Sequence, residues 1–226
     1  MTTTHDHFAG RTAVITGAAS GIGNGLARHA ASLGMNLVLA DIDAERLDAA
    51  AAQLPGDVLA VATDVADDTT VEHLADAAFE RFGTVDLVVN NAGIMAIGYS
   101  WEIPADRWNA MIDVNLRGVV NGIRTFVPRL IEQGTAAHVV NVSSMGGFLP
   151  SPMMAPYTAT KFAVLGLSDY DDADTAVTLL DHFRHDGAED VRAEAAGALQ
   201  AAHVDGRRAR RRALETHRRQ LFREIL

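Results

Sequence analysis

Two side chains in the stretch YTATK, Tyr157 and Lys161, carry the clearest chemical signal in the chain. On a helix, residues at i and i+4 share one face, so the lysine ammonium would lie beside the phenol and favour its phenolate form. A phenol of ordinary pKa, about 10, is a poor base near neutral pH, and a neighbouring positive charge makes it usable for taking and returning a hydroxyl proton. Lys161 is the only lysine in a chain with 18 arginines. A compact ammonium reaches hydroxyl groups in a way a planar guanidinium does not, so the single lysine falls where this chemistry needs it.

A second pattern lies near the start of the chain. TGAASGIG, residues 16 to 23, places Gly17, Gly21 and Gly23 between the apolar run TAVIT and the helical pattern GLARHAASLG. Glycine permits a tight turn and close approach of the backbone to a pyrophosphate, whose charge is stabilised by the N-terminal dipole of the next helix. Tight turns and helix caps also use glycine, so the loop alone does not decide the matter. Asp41 ends the next apolar run, 18 residues beyond Gly23. That is close to the spacing at which a carboxylate accepts hydrogen bonds from an adenosine ribose, the plainer alternative being a surface-loop residue. Followed by Ile42 rather than Arg, Asp41 would repel a 2′-phosphate, which favours NAD over NADP.

The elements that must position these residues can be read from periodicity. Short apolar runs at 12–16, 35–41, 57–65, 85–93 and 136–144 alternate with helical patterns. The runs are near-continuously apolar instead of alternating, as expected for strands buried on both faces. The expected fold is therefore α/β, a doubly wound parallel sheet of Rossmann type with helices on both faces.

Six motifs occur together in order and spacing: T-G-x-x-x-G-I-G at 16–23, DV at 64–65, NNAG at 90–93, Asn115 within a long helix, NVSS at 141–144 and Tyr157-x-x-x-Lys161. In these the chain resembles the short-chain dehydrogenase/reductase family, from about Phe8 to Ser168. The resemblance implies an NAD-dependent oxidoreductase that interconverts a secondary alcohol and a carbonyl by hydride transfer. In that reading Tyr157 is the acid/base, Lys161 supports it and reaches the ribose, and Ser144 bonds the substrate oxygen, with neighbouring Ser143 the lesser candidate. Asn115 would help hold a water near the lysine, or be no more than a tolerated polar residue in a helix. Gly17, Ser20, Gly21, Ile22 and Gly23 would hold the pyrophosphate, and Asp41 the ribose. Asp64 and Val65 would flank the adenine, and Asn90, Asn91, Ala92 and Gly93 would line the cofactor cleft beside Tyr157 and Lys161. Asn90 and Gly93 could equally serve to shape the strand end.

The pattern changes after Ser168. The resemblance implies a sixth strand ending in Pro-Gly, a substrate-covering segment and a seventh strand. All six prolines lie at or before Pro156, and the residues from Asp169 onward read as Ala- and Leu-rich helices punctuated by Gly187 and Gly206. The stretch EDVRAEAAGAL is similar to one helix of a HEAT repeat, of which a solenoid needs about three. The expected organisation is a catalytic domain over 1–168 and an atypical helical tail over 169–226 packed on it. A chain without the usual substrate segment suggests an alternative, a dinucleotide-binding or partner-binding module without turnover.

Charge and composition narrow the partners. Residues 1–206 carry 11 basic against 27 acidic side chains, whereas 207–226 carry 8 arginines against 2 glutamates. The acidic body should repel nucleic acid, and the basic tail reads first as a solvated helix face. No apolar run reaches the roughly 18 residues of a membrane span, and MTTTHDHFAG lacks the order of a secretory signal, so a cytoplasmic location is expected. With no cysteine, disulfides, thiolate zinc sites and cysteine nucleophiles are excluded. The histidines are scattered, His5, His7, His182 and His185 forming the only close pairs, and no metal site is expected. Ile94, Met95, Phe148, Leu149, Met153 and Met154 suggest an apolar alcohol or ketone as the small-molecule partner, or ordinary packing. A homo-oligomer through the helices carrying Asn115 and Tyr157 is implied by the resemblance.

Overall fold

The computed structural model describes residues 8–150, 152–170 and 176–180. Six parallel strands form one sheet in the order β3-β2-β1-β4-β5-β6. They are β1 (Thr12–Thr16), β2 (Asn36–Asp41), β3 (Val58–Ala62), β4 (Leu87–Asn90), β5 (His138–Val142) and β6 (Ala176–Leu180). The connecting helices are α1 (Gly21–Ser32), α2 (Ala44–Ala51), α3 (Asp68–Phe82), α4 (Ala105–Ile112), α5 (Gly118–Gln133) and α6 (Ala155–Tyr170).

Successive residues of each strand face opposite layers, which is why the strands read as unbroken apolar runs. Ile15, Leu39 and Val89 pack against Leu26 and Ala27 of α1 and Leu47 of α2. Val14, Val38 and Val88 face the other way, onto Val71 and Leu74 of α3 and Phe126 and Leu130 of α5. Full burial of a side chain such as Phe126 or Leu74 contributes about 1.5–3 kcal/mol. The helix starts follow from capping: the Asp43 carboxylate accepts from Arg46 N–H, and the Asp67 carboxylate from Thr69 N–H.

Two features of this frame position the candidate site. The chain winds outward from β1 to β3 and then returns to β4 on the opposite side of β1, so a crevice opens at the carboxyl ends of β1 and β4. Register brings Ile15 beside Val89, which sets Gly17 next to Asn91. The long helix expected around Asn115 is interrupted by a π-helical turn, Asp113–Arg117, in which Gly118 N–H bonds to the Asp113 carbonyl. That one-residue slip accompanies the complete burial of Asn115.

The expectation of helices throughout the residues after Ser168 needs correction. The helix α6 continues to Tyr170, and Ala176–Leu180 then pairs in parallel with β5, from His138 beside Ala176 to Val142 beside Leu180. The Ala- and Leu-rich composition of the stretch suggested otherwise. An edge strand presents a row of unpaired backbone groups, and β-branched Val177 and Thr178 suit a segment drawn onto it. The HEAT-like stretch, the basic tail and the close histidine pairs lie outside the described residues. Among the described residues, no helix is long and apolar enough to cross a membrane.

Candidate active site

The glycine-rich loop follows β1 directly. Gly17 has φ of 67°, and a Cβ there would lie 2.9 Å from both Ala92 Cα and Asn91 Nδ2. Gly23 is tighter still, since its Cβ would meet the Gly17 carbonyl at 2.2 Å. Gly21 differs from both. Its φ is 54°, yet nothing lies within 4 Å of where its Cβ would stand. Ser20, preceding α1, makes no side-chain cap bond. The loop is thus closed against the protein at Gly17 and Gly23 and open at Gly21, beside the first-turn amides of a 12-residue helix. A pyrophosphate fits such a cradle.

Asp41 sits beside that loop. Its carboxylate accepts from Ala19 N–H at 3.0 Å and Asp43 N–H at 3.1 Å while remaining half-exposed. Ile42 follows it, 70% exposed. At the end of the next strand the Asp64 carboxylate accepts from Ala66 N–H, and its carbonyl from Thr70 Oγ1. Val65 is buried against α5, where Gly118 leaves room for it, and its carbonyl accepts from Asn121 Nδ2.

The NNAG segment is held from below by Thr16, which the sequence reading did not single out. Thr16 Oγ1 accepts from Asn91 N–H at 2.9 Å and Ala92 N–H at 3.0 Å, and donates to the Val89 carbonyl. Asn91 Nδ2 returns a bond to the Thr16 carbonyl. Asn90 points into the interior, where Nδ2 donates to Asn141 Oδ1, and Asn141 Nδ2 donates to Ser168 Oγ. A cleft-lining role for the Asn90 side chain is therefore not supported: its partner is structural. The signal for this ladder was the pair of asparagines at matching ends of two apolar runs.

Gly93 lies between Asn115 and Lys161. A Cβ there would stand 3.4 Å from Asn115 Oδ1 and 3.7 Å from Lys161 Nζ. Asn115 Oδ1 accepts from Ile94 N–H at 2.8 Å, and Nδ2 donates to the Ile94 carbonyl at 2.9 Å and to Thr160 Oγ1 at 3.2 Å. Both amide protons are committed to protein, and the side chain ties the loop after β4 to α6.

The proton-transfer candidates converge on the short loop after β5. Ser144 Oγ accepts from Gly146 N–H at 3.1 Å, which leaves its own hydroxyl proton available. Gly146 also abuts Tyr157, since a Cβ would lie 3.3 Å from the ring and 3.6 Å from Ser144 Oγ. Ser144 and Tyr157 therefore flank one glycine. Ser143 Oγ is used differently, donating to the Lys161 carbonyl within the interior. Lys161 is 4% exposed, with Nζ 2.8 Å from the Val142 carbonyl and 5.8 Å from the centre of the Tyr157 ring. Burial lowers its pKa from 10.5 to about 8. Most of the lysine is still charged at pH 7.

Apolar side chains rim this floor. Ile94, Met95, Leu149 and Met153 are each about half-exposed, whereas Phe148 and Met154 are partly buried. Among the described residues, no cluster of three His, Cys, Asp or Glu side chains could hold a metal ion.

Comparison with known proteins follows the same lines. The chain is 41% identical over 167 residues to 1-deoxy-11-beta-hydroxypentalenate dehydrogenase of Streptomyces exfoliatus, covering 72% of this chain and 61% of that protein. It is 36% identical over 165 residues to the CLA biosynthesis dehydrogenase/reductase of Lactiplantibacillus plantarum, covering 72% and 58%. The chain spans about three fifths of the length of these curated relatives. Among solved structures, a short chain dehydrogenase/reductase of Burkholderia phymatum in complex with NAD superposes with a TM-score of 0.73 at 43% identity, over 77% of this chain and 65% of that one. A metagenomic short-chain oxidoreductase in complex with NADP gives 0.79 at 29% identity, over 87% and 92%. The profile of the short chain dehydrogenases matches residues 11–178, reaching into β6 beyond the point at which the motifs end. By fold, motif order and sequence, the chain belongs to the short chain dehydrogenase family.

Proposed function

We propose that the chain is an NAD-dependent oxidoreductase that interconverts a secondary alcohol and a carbonyl compound with an apolar body. The observation that carries this reading is the placement of Ser144 and Tyr157 around Gly146, with the Lys161 ammonium behind them. The dinucleotide, when bound, supplies the acceptor or donor of the hydride. The Ser144 hydroxyl donates to the substrate oxygen and fixes it against the phenol. Tyr157 Oη takes the hydroxyl proton in the oxidative direction and returns it in the reductive one. Lys161 supplies a buried positive charge beside the ring, and Asn115 holds the Ile94 backbone.

The residues fit a dinucleotide. Gly17, Ser20, Gly21, Ile22 and Gly23 would hold the pyrophosphate, with the open side at Gly21 as the point of closest approach. Asp41 would take the adenosine ribose, and Asp64 and Val65 would stand by the adenine. Asn91, Ala92 and Gly93 would follow the chain of the cofactor toward Lys161. The preference for NAD rests on the Asp41 carboxylate, which opposes a 2′-phosphate; the relatives of known structure include both an NAD and an NADP complex.

The unit that binds would be the sheet with its helices, the remaining tail packing on it. Self-association through the helices carrying Asn115 and Tyr157 is supported by Ile112 and Phe162, which are 38% and 43% exposed. Light scattering of the purified chain measures this directly.

A second reading is favoured by one observation, the absence of any proline after Pro156, and with it of the Pro-Gly segment. In that reading the chain binds a dinucleotide or a partner without turnover. NAD reduction across a panel of secondary alcohols separates the two, with Tyr157→Phe as the control. Turnover that disappears in Tyr157→Phe supports the enzyme. NADH binding with no alcohol oxidised supports the binding module.

A further inference from the structure

Two loops meet beside the proton-transfer groups, and one backbone hydrogen bond ties them together. Gly98 N–H, in the loop after β4, donates to the Met153 carbonyl at 2.8 Å. Met153 has φ of 63°, the only positive value for a non-glycine among the described residues. A side chain with a Cβ holds that conformation only where its surroundings impose it, and such positions cluster at ligand-binding sites.

Each loop is also anchored to the reaction centre. Ile94 is bonded through both its N–H and its carbonyl to Asn115. Leu149 N–H bonds to the carbonyl of Met145, the residue after Ser144. Between these anchors the first loop carries a pair of aromatic rings. Tyr99 and Trp101 stack with centroids 5.0 Å apart and planes 11° apart, yet they are 49% and 79% exposed. Their backbone is pinned: the Tyr99 carbonyl accepts from Glu102 and Ile103 N–H, and Trp108 Nε1 donates to the Ser100 carbonyl. A preformed aromatic face turned to water is a poor use of apolar surface unless something covers it.

We propose that Tyr99 and Trp101 form a stacking platform that determines substrate specificity, selecting alcohols or ketones whose non-reacting body is a flat ring system. The inference rests on the oxidoreductase reading above and adds the shape of the substrate to it. Its occupant is the substrate body, because the loop that carries the rings is tied, at Ile94 to Asn115 and at Gly98 to Met153, to the segments around Tyr157. Flat rings recover offset stacking against an indole, whereas short aliphatic chains gain only contact area.

Two measurements on the full chain test this. The first compares kcat/KM for 1-tetralol and 2-butanol in wild type, Trp101→Ala and Trp101→Phe. Trp101→Ala is expected to lower the value for 1-tetralol at least about 10-fold more than for 2-butanol, and Trp101→Phe to recover most of the difference. The second follows tryptophan emission as 1-tetralone is added in the presence of NADH; quenching is expected in wild type and is expected to be lost in Trp101→Phe. Equal losses on the two alcohols, or emission that 1-tetralone leaves unchanged, overturn the platform. So does a Trp101→Ala variant whose only change is a smaller mass in light scattering, which would make the rings a contact between copies. The two readings fail separately. Quenching without oxidation of any alcohol removes the oxidoreductase and keeps the platform, whereas turnover indifferent to Trp101 does the reverse.

Discussion

Asn115 grips the Ile94 peptide at both ends, accepting from its N–H at 2.8 Å and donating to its carbonyl at 2.9 Å. The grip joins the loop after β4 to the π turn between α4 and α5, and a third bond to Thr160 extends it to α6. Three elements of the site therefore share one side chain.

Asn115→Ala removes both hydrogen-bond partners of the part-buried Ile94 backbone, a loss of about 0.5–1.5 kcal/mol for each. Thermal unfolding should show the drop. If turnover is present, KM for the alcohol should rise along with any fall in kcat, because the substrate loop loses its anchor. An unchanged melting temperature with a fall in kcat alone would instead favour a direct part in proton relay.

The pH dependence of stability should carry the mark of Lys161. Its pKa is 10.5 when exposed and about 8 in the fold, so between these values the unfolded chain binds more protons than the folded one. Stability should rise with pH across that window, by on the order of 3 kcal/mol in total, with the burial cost fully felt below pH 8. Because the chain has no other lysine, urea unfolding of wild type against Lys161→Met isolates the effect. The rise should be absent from the variant.

Gly21 and Gly23 should respond differently to alanine. At Gly23 the methyl group meets the Gly17 carbonyl at 2.2 Å, so the loop must move and stability should fall by about 1–3 kcal/mol or more. At Gly21 there is no clash, only the cost of a positive φ, about 1–2 kcal/mol, and a methyl group in the open side of the cradle. Gly21→Ala should therefore remain folded and lose NADH affinity, measured by fluorescence titration. Full affinity in Gly21→Ala would place the pyrophosphate elsewhere.

Asp41→Asn keeps the shape of the side chain and one of the two bonds it accepts, since Ala19 and Asp43 N–H bond to different oxygens, and removes the charge. The ratio of NADP to NAD affinity should increase by about 10-fold, equivalent to 1.4 kcal/mol, as the repulsion of a 2′-phosphate is lifted. Titration of both reduced dinucleotides against wild type and variant checks it. A ratio that does not move would show that Asp41 serves only to hold the loop at Ala19.

The amino-acid sequence by itself determined the alternation of strands and helices, because strands buried on both faces need continuous apolar runs and the turns between them need glycine and caps. It also carried the candidate chemistry of Tyr157 and Lys161, since residue type and spacing along one helix are local properties, whereas Ser144 was reached only through the family resemblance. Tertiary structure decided what depends on neighbours distant in sequence. Asn90 could have lined a cleft, but its amide is satisfied by Asn141 in the adjacent strand. Thr16 looked like the last residue of a strand until register set it under Asn91 and Ala92. Residues 176–180 lie in a stretch whose Ala- and Leu-rich composition reads as helix, yet they pair with the edge of β5 as a strand. The lowered pKa of Lys161 belongs to the same class, because only the packed fold takes the ammonium out of water.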